Sequence, residues 1–216
     1  MNIFMKTGLI TFFIFTIGLA VGLWLDVARS DIVEMSLAET SLELTDVFTQ
    51  NLFYDTFVND TSFCKAAIRT NLEFNDRIYE EGVELERLET VNKLGPDTLL
   101  KKKRYALLQT QFWLNAVKIK ETCNADYDTV IYFYENEDSD EVKINQRIQS
   151  TVLTELKNKC GNQIMLIPLP GDINISAINL ISYQYDLDIY PSILINEKTA
   201  LKGVQKLSDL EQYVAC

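Results

Sequence analysis

The stretch YPSILINEKTALKG, residues 190–203, decides how the C-terminal part of the chain folds. Residues 192–195, Ser-Ile-Leu-Ile, are mostly apolar with two β-branched isoleucines, and residues 200–203 form a second short run after a polar turn. Short runs of this kind separated by turn residues predict two consecutive β-strands. The stretch therefore predicts a hairpin that closes a sheet.

The residues before this hairpin alternate between strand and helix patterns. Residues 127–134 and 162–169 are rich in β-branched, aromatic and other apolar residues, which is typical of buried strands. Residues 143–159 and 175–185 predict helices. In the first of these helices the apolar residues stand four apart, at Ile144, Ile148, Val152 and Leu156.

A last helix is predicted to begin at Ser208. Glu211 stands three positions later, which is the spacing of a capping box. The element order over residues 124–216 is then βαβαββα. Strands that alternate with helices and end in a hairpin and a helix predict a layered α/β domain.

This order resembles the thioredoxin fold. The most specific match is Tyr190-Pro191-Ser192 directly before a strand, with Gly203 just after the next strand. Thioredoxin-like proteins carry a cis-proline at such a position, so the resemblance implies a cis peptide bond between Tyr190 and Pro191. It also implies a peptide-binding groove at Tyr190, Pro191 and Ser192. The whole chain is similar to membrane-anchored thioredoxin-like proteins of prokaryotes, in which a long helical hairpin precedes the domain.

The chain departs from this family at its redox centre. Active members carry Cys-x-x-Cys between the first strand and the long helix, whereas residues 135–150 contain no cysteine. The alignment puts Lys143 and Gln146 in the two cysteine positions. Thiol–disulfide exchange needs an accessible thiolate, which neither side chain can supply. We therefore expect a redox-inactive module for protein or peptide interaction or scaffolding. The alternative is that Pro191 serves folding only and the groove binds nothing.

Residues 63–123 predict a long antiparallel helical hairpin, preceded by a juxtamembrane helical segment over residues 27–62. Two apolar stripes at helical spacing flank a break at Gly95-Pro96. The stripes are Cys64, Ala67, Phe74, Ile78, Leu85 and Leu88, then Tyr105, Leu108, Phe112, Ala116, Ile119 and Cys123. Two long stripes joined by a tight turn are expected to pack against each other.

The four cysteines are expected to form two disulfides. Cys64 lies 31 residues before Gly95 and Cys123 lies 28 residues after it, so both fall at the open end of the predicted hairpin. A Cys64–Cys123 disulfide follows, with two free buried cysteines as the alternative. In the family geometry the long helix and the last helix end together, so the resemblance implies a Cys160–Cys216 pair.

Residues 1–26 predict a cytoplasmic start and a transmembrane anchor. Residues 8–25 carry no charge and are long enough to cross a bilayer core. Lys6 precedes this segment and Asp26 follows it, which favours a cytoplasmic N-terminus and an extracytoplasmic C-terminal domain in a single-pass cell-membrane protein. A cleaved signal peptide is the alternative, although its apolar region is usually shorter.

The composition excludes several functions. A formal net charge of −11 over 216 residues argues against nucleic-acid binding. The absence of histidine removes His-dependent nucleophiles and zinc sites, and we expect no cofactor and no metal. The basic run at residues 101–104 is interpreted as a solvated helix face. Sequons at Asn59 and Asn174 are candidate glycosylation sites.

Several alternatives stay open from the sequence. One is a thiol–disulfide oxidoreductase that uses Cys64 and Cys123. Others are hydrolysis by paired carboxylates or calcium binding in the acidic loop, with oxygen ligands from Glu135, Glu137, Asp138, Asp140 and Glu141. The acidic loop would bias the groove towards basic partners. The partner itself is unknown, and a homodimer through the hairpin is a further alternative.

Overall fold

The protein is a mixed α/β protein with an N-terminal apolar helix and a four-stranded mixed sheet. The computed structural model describes residues 3–57, 61–91, 96–136 and 139–216. The elements in chain order are α1 (Ile3–Phe57), α2 (Thr61–Val91), α3 (Pro96–Cys123), β1 (Asp128–Tyr134), α4 (Asp140–Cys160), a 3₁₀ turn (Gly161–Gln163), β2 (Ile164–Pro170), α5 (Ser176–Tyr185), β3 (Ser192–Ile195), β4 (Thr199–Lys202) and α6 (Leu207–Leu210). The chain divides into two compact units, Met1–Glu43 and Leu44–Cys216.

The first unit contains the apolar part of α1. The segment Lys6–Leu25 spans 20 residues with a mean hydropathy of 2.2, so by length and composition it is long and apolar enough to cross a membrane. Helix α1 continues without a break through the predicted juxtamembrane segment as far as Phe57. The orientation of the chain and the alternative of a cleaved signal stay predictions.

The sheet has the strand order β2-β1-β3-β4. Strand β1 pairs in parallel with β2 and antiparallel with β3, and β3 pairs antiparallel with β4. Side chains alternate between the two faces because a strand has a period of two residues. Ile131 and Phe133 join one core cluster, and Val130 and Tyr132 join the other.

Helices cover both faces of the sheet. Helices α2, α3 and α5 pack on one face with Phe74, Phe112 and Ile178, and helices α4 and α6 pack on the other with Leu156 and Leu210. Each fully buried side chain of this kind contributes about 1.5–3 kcal/mol relative to exposure. The predicted segments 63–123 and 124–216 thus share one of the two core clusters.

Helix α4 forms as predicted and has strong end signals, but only Val152 and Leu156 of its four-apart apolar residues pack against the core. Ser139 caps the N-terminus by accepting a hydrogen bond from the Val142 backbone N–H, and Gly161 ends the helix at φ 57°. Ile144 and Ile148 are 58% and 48% exposed. Residues four apart rotate by about 40° per step around a helix, so a stripe at that spacing drifts off the core. The buried residues are Gln146, Gln149, Leu153, Leu156 and Cys160.

The predicted capping box of the last helix is wrong. Helix α6 covers only Leu207–Leu210, its N-cap is Lys206, and no side chain caps it. Ser208 lies inside the helix, where its hydroxyl donates to the Asp209 carboxylate. The short turn is held instead by Leu210, which is fully buried in the core.

Helices α2 and α3 are joined by a disulfide between Cys64 and Cys123 and by a core cluster that contains Ala67, Phe74 and Ile78 of the first predicted stripe. The Leu88 side chain of that stripe lies outside the described residues. Tyr105 of α3 donates a hydrogen bond to the Ile78 carbonyl of α2 at 2.5 Å. Burial and the Glu81 carboxylate raise the pKa of Tyr105, so its hydroxyl stays a donor. The ring packs against Gly82, where a Cβ atom would lie 3.2 Å from Tyr105 Cζ. The link between the two helices falls on residues 92–95, outside the described residues.

The basic run at residues 101–104 is not simply a solvated face, which corrects the interpretation from the sequence. Lys102 is only 5% exposed. Its ammonium lies 5.3 Å from the centre of the Tyr134 ring, at the end of β1. Four consecutive helical residues point in different directions, and the sheet covers the one that faces it.

The opposite end of the sheet carries a network around Asp128. Its carboxylate accepts hydrogen bonds from Lys120 at 3.2 Å, from Asn196 at 2.8 Å and from the Ala215 backbone N–H at 2.7 Å. Burial opposes the charged form, but these three hydrogen bonds outweigh it and lower the pKa of Asp128. The network therefore ties α3, the β3–β4 turn and the C-terminal segment to the start of β1.

Candidate functional site

The predicted groove lies where the chain enters β3. The peptide bond between Tyr190 and Pro191 is cis. The Pro191 carbonyl accepts a hydrogen bond from the Gly203 backbone N–H at 2.8 Å, and the Ser192 hydroxyl donates to the Ile189 carbonyl. Gly203 sits at φ 77°, a conformation that favours glycine.

Only one of the three predicted groove residues reaches solvent. Pro191 and Ser192 are buried, whereas Tyr190 is half-buried. Ile189 beside it is 51% exposed. Within the described part of the chain, neither the backbone N–H nor the carbonyl of Tyr190 has a hydrogen-bond partner. The surface open to a partner is therefore a short bend at Asp188, Ile189 and Tyr190, directly before β3, which we call the Tyr190 edge.

A glycine after β2 shapes this edge. The Gly171 backbone N–H donates to the Tyr134 carbonyl at 2.8 Å, which brings the ends of β1 and β2 together. A Cβ atom on Gly171 would lie 2.5 Å from ring atoms of Tyr190. Since real Cβ atoms do not approach so closely, the ring can take this position only against glycine.

Carboxylates surround the Tyr190 edge. Asp172 accepts hydrogen bonds from the Asn136 backbone N–H at 2.8 Å and from its side-chain amide at 2.9 Å, which ties the loops after β1 and β2 together. Burial raises the pKa of Tyr190, and the charges of Glu135, Asp172 and Asp188 raise it further. The site is therefore acidic, and the Tyr190 hydroxyl is a neutral hydrogen-bonding group within it.

The two predicted redox positions hold very different residues. Lys143 is exposed on the first turns of α4. Gln146 is 9% exposed, and its side-chain carbonyl accepts a hydrogen bond from the Glu135 backbone N–H at 2.8 Å. The Tyr132 hydroxyl donates to the Gln146 backbone carbonyl at 3.0 Å. Gln146 therefore fastens α4 to β1 and to the connection between them through these two hydrogen bonds.

The structure brings both predicted cysteine pairs to disulfide distance. Cys64 pairs with Cys123, and Cys160 pairs with Cys216. All four cysteines lie in the described residues, and none of them is free. Cys160 is the last residue of α4, about 20 Å along the helix from Gln146 at 1.5 Å per residue. The Tyr190 edge therefore has no neighbouring thiol.

An open cavity of about 400 Å³ adjoins the edge. It is lined by Gly171, Asn179, Ser182, Tyr183, Asp186 and Asp188. Lys202 of β4 donates to Asp186 at 2.8 Å and to Asp188 at 2.7 Å, and both ion pairs are at the surface. The hydrogen bonds from Lys202 lower the pKa of Asp188, and those to Asp186 and Asp188 raise the pKa of Lys202.

The sequence interpretation missed the residues that line this cavity. The signals were present as Gly171-Asp172 directly after an apolar strand and as two aspartates, Asp186 and Asp188, directly before Tyr190. Neither pattern has a fixed meaning in sequence. The helix α5 that brings them together is specified by burial of Ile178 and Ile181.

The candidate metal and glycosylation residues are only partly described. Among the residues that the structure describes, no group of three or more acidic or cysteine side chains is placed to hold a metal ion. Glu137 and Asp138 of the candidate calcium loop lie outside the described residues, as does Asn59. Asn174 is exposed at φ 53°, two residues before α5.

Comparison with known proteins adds no relative. No protein-family model matches the chain, and no curated protein matches it. The resemblance to thioredoxin-like proteins therefore rests on the residues and the geometry described above.

Proposed function

We propose that this chain is a membrane-anchored, extracytoplasmic thioredoxin-like protein without a redox centre, which binds an extended segment of a partner protein at the Tyr190 edge. In this proposal residues 1–26 form the anchor and residues 27–62 the juxtamembrane segment. Residues 63–123 form an antiparallel helical hairpin, and residues 124–216 form the thioredoxin-like domain. The partner is a protein or peptide rather than a nucleic acid.

The fold assignment is supported by the order of elements. The order β1-α4-β2-α5-β3-β4-α6 matches the βαβαββα pattern of that family. The Cys64–Cys123 disulfide at one end of α2 and α3, with Tyr105 bonded to Ile78 further along, supports an antiparallel arrangement of these helices. Gln146 in the second redox position supports a domain that has lost thiol chemistry.

The observation that carries the binding function is the unpaired backbone of Tyr190. Its N–H and carbonyl lie in the half-buried bend just before β3, where they have no partner within the described residues. An added strand supplies such partners through main-chain hydrogen bonds, which is the physical basis of strand addition. The acidic side chains around the edge favour a basic partner through complementary charge.

A crosslinking experiment on the full chain in detergent micelles tests the binding site. The photoreactive residue p-benzoylphenylalanine replaces Ile189 at the edge or, as a matched control, exposed Lys198 at the other end of β3. The probe is a set of unstructured ten-residue synthetic peptides. We expect peptide adducts at position 189 and background labelling at position 198. Equal labelling at both positions, or none at either, would contradict the proposal.

A second measurement separates this function from the thiol–disulfide alternative. The same preparation is assayed for reduction of insulin disulfides in the presence of a chemical reductant. We expect no turnover above that of a variant with Cys64→Ser and Cys123→Ser. Turnover that this double variant abolishes would favour an oxidoreductase that uses Cys64 and Cys123.

A further inference from the structure

The open cavity beside the Tyr190 edge is lined only by glycine, polar, acidic and aromatic residues. Asp186 and Asp188 supply two carboxylates, and Asn179 and Ser182 supply neutral oxygen acceptors. Tyr183 lines the cavity and is 89% exposed, so its aromatic face is available at the rim. Carboxylates together with an aromatic face form a site for an organic cation.

Lys202 shows that these carboxylates hold an ammonium group. Its nitrogen lies 2.8 Å from Asp186 and 2.7 Å from Asp188. One positive charge is shared by two negative charges, so the cluster keeps a net negative charge. Its carboxylates are 84% and 68% exposed, which leaves them open to a second cation.

The cavity is continuous with the proposed binding edge. Gly171 forms part of its wall and also touches the Tyr190 ring. Asp188 stands two residues before Tyr190 in the same edge. A strand added along this edge projects alternate side chains to the same face at intervals of about 7 Å. Because Asp188 lies both in the edge and in the cavity wall, the cavity is within reach of a side chain of a segment bound at the edge.

We propose that this cavity receives the side chain of an arginine or lysine carried by the extended segment that binds at the Tyr190 edge. This inference rests on the proposed function, because it names the class of partner for the same site. The volume of about 400 Å³ lies in the range of small-ligand cavities and is large enough for a guanidinium on its aliphatic stem. The cavity carboxylates then select a positively charged side chain, and the main-chain hydrogen bonds at Tyr190 supply the remaining affinity.

The test compares peptides that differ only in charge. Ten-residue peptides with a single central arginine or the neutral isostere citrulline are titrated against the full chain in detergent micelles, and binding is followed by fluorescence anisotropy. We expect arginine to bind about tenfold more tightly than citrulline at low salt. The ratio of the arginine-peptide affinity to the citrulline-peptide affinity should fall as salt screens the exposed carboxylates.

Three variants sharpen the test, and two of them change the charge in opposite directions. Asp186→Asn, at a position that lies in the cavity wall but outside the Tyr190 edge, should reduce the ratio towards one and leave the affinity for the citrulline peptide unchanged. Lys202→Met removes the competing ammonium and should increase the ratio. Tyr183→Ser changes a side chain that is 89% exposed, so it should leave folding intact while lowering the ratio about twofold to fivefold.

The outcomes distinguish this inference from the proposed function. If both peptides bind with equal affinity, the Tyr190 edge binds peptide but the cavity does not select a cation, and the inference is wrong. If neither peptide binds, the proposed function itself fails. A ratio that the aspartate variant leaves unchanged would also overturn the assignment to this cavity.

Discussion

The Trp113 indole nitrogen donates a hydrogen bond to the Glu197 carboxylate at 2.7 Å, across 84 positions of sequence. The same carboxylate oxygen accepts from the Thr129 hydroxyl at 2.6 Å. Glu197 lies in the tight β3–β4 turn at φ 55°, which is unusual for glutamate. The two hydrogen bonds of the Glu197 side chain fasten the turn to helix α3 and to β1, which accounts for a glutamate at this position.

Removing the charge of Glu197 should therefore destabilise the fold. We expect Glu197→Gln to lower the free energy of unfolding by about 1.5–3 kcal/mol, the usual range for a hydrogen bond to a charged group. Chemical unfolding of the full chain in micelles measures this change. Trp113→Phe should make the glutamate change less costly, since the two residues interact directly. Exposed Lys198→Gln in the same turn is the control and should change stability by no more than about 0.5 kcal/mol.

Asp128 should make stability depend on acid pH. Its pKa is lowered in the folded protein from the ordinary value of 3.8, so the folded state binds protons less readily than the unfolded state. The stabilisation is present above pH 3.8 and is lost as the pH falls through the lower folded value. Asp128→Asn should lower stability at neutral pH and flatten the acid limb of an unfolding curve.

The exposed neighbour Asp126 provides the control for that curve. Asp126→Asn should leave stability within about 0.5 kcal/mol of the original protein at neutral pH. An acid limb that is the same in the Asp128→Asn variant and in the original protein would contradict the role given to the Asp128 network.

Gly82 should tolerate alanine only when the hydroxyl of Tyr105 is removed. Alanine normally stabilises a helix interior by about 1 kcal/mol over glycine. Here the added Cβ atom would overlap the hydroxyl of Tyr105, which is held by the Ile78 carbonyl. We expect Gly82→Ala to lower the melting temperature in the original protein. In a Tyr105→Phe background the same change should be neutral or stabilising.

The Cys64–Cys123 disulfide should contribute strongly to stability. It closes a loop with a sequence separation of 59 residues. Restricting the unfolded chain to that extent corresponds to about 4 kcal/mol. The paired variant Cys64→Ser with Cys123→Ser should therefore unfold at a markedly lower denaturant concentration. Mass spectrometry of non-reduced peptides from membranes checks the pairing, and free thiols at both positions would contradict it.

The sequence predicted the elements of this protein well where a local signal decides them. Strand β1 carries β-branched and aromatic residues on both faces, and it forms with nearly the predicted bounds, at Asp128–Tyr134. Ser139 and Gly161 provide cap signals at both ends of α4, although only the helix interior was predicted. These signals act within a few residues and do not depend on distant packing.

The sequence could not predict which face of each helix is buried against the sheet. The four-apart pattern from Ile144 to Leu156 predicted a helix but not its buried face. Gln146 and Gln149 are buried beside Leu156, and they accept hydrogen bonds from the backbone N–H groups of Glu135 and Gln205. A buried amide is favourable only when a distant partner satisfies it, and that partner cannot be read from local spacing. The cavity beside Tyr190 was missed for the same reason, because its walls come from separate elements.

Gly171 should control the geometry of the Tyr190 edge and, through it, peptide binding. A Cβ atom at this position would lie 2.5 Å from Tyr190 ring atoms, so Gly171→Ala must displace the ring. Overpacking of this kind costs about 1–3 kcal/mol. We expect about tenfold weaker binding of the synthetic peptides if about 1.4 kcal/mol of this cost falls on the bound state.

A second substitution separates the effect of the displaced Tyr190 ring on peptide binding from the effect of a general loss of stability. Tyr190→Ala removes the atoms that the new Cβ would meet, so adding Gly171→Ala to this variant should weaken binding no further. Peptide affinity and the melting temperature are measured for both single variants and for the double variant. Full additivity of the two changes in binding would mean that Gly171 and Tyr190 act independently, which would contradict the contact as the feature that shapes the edge.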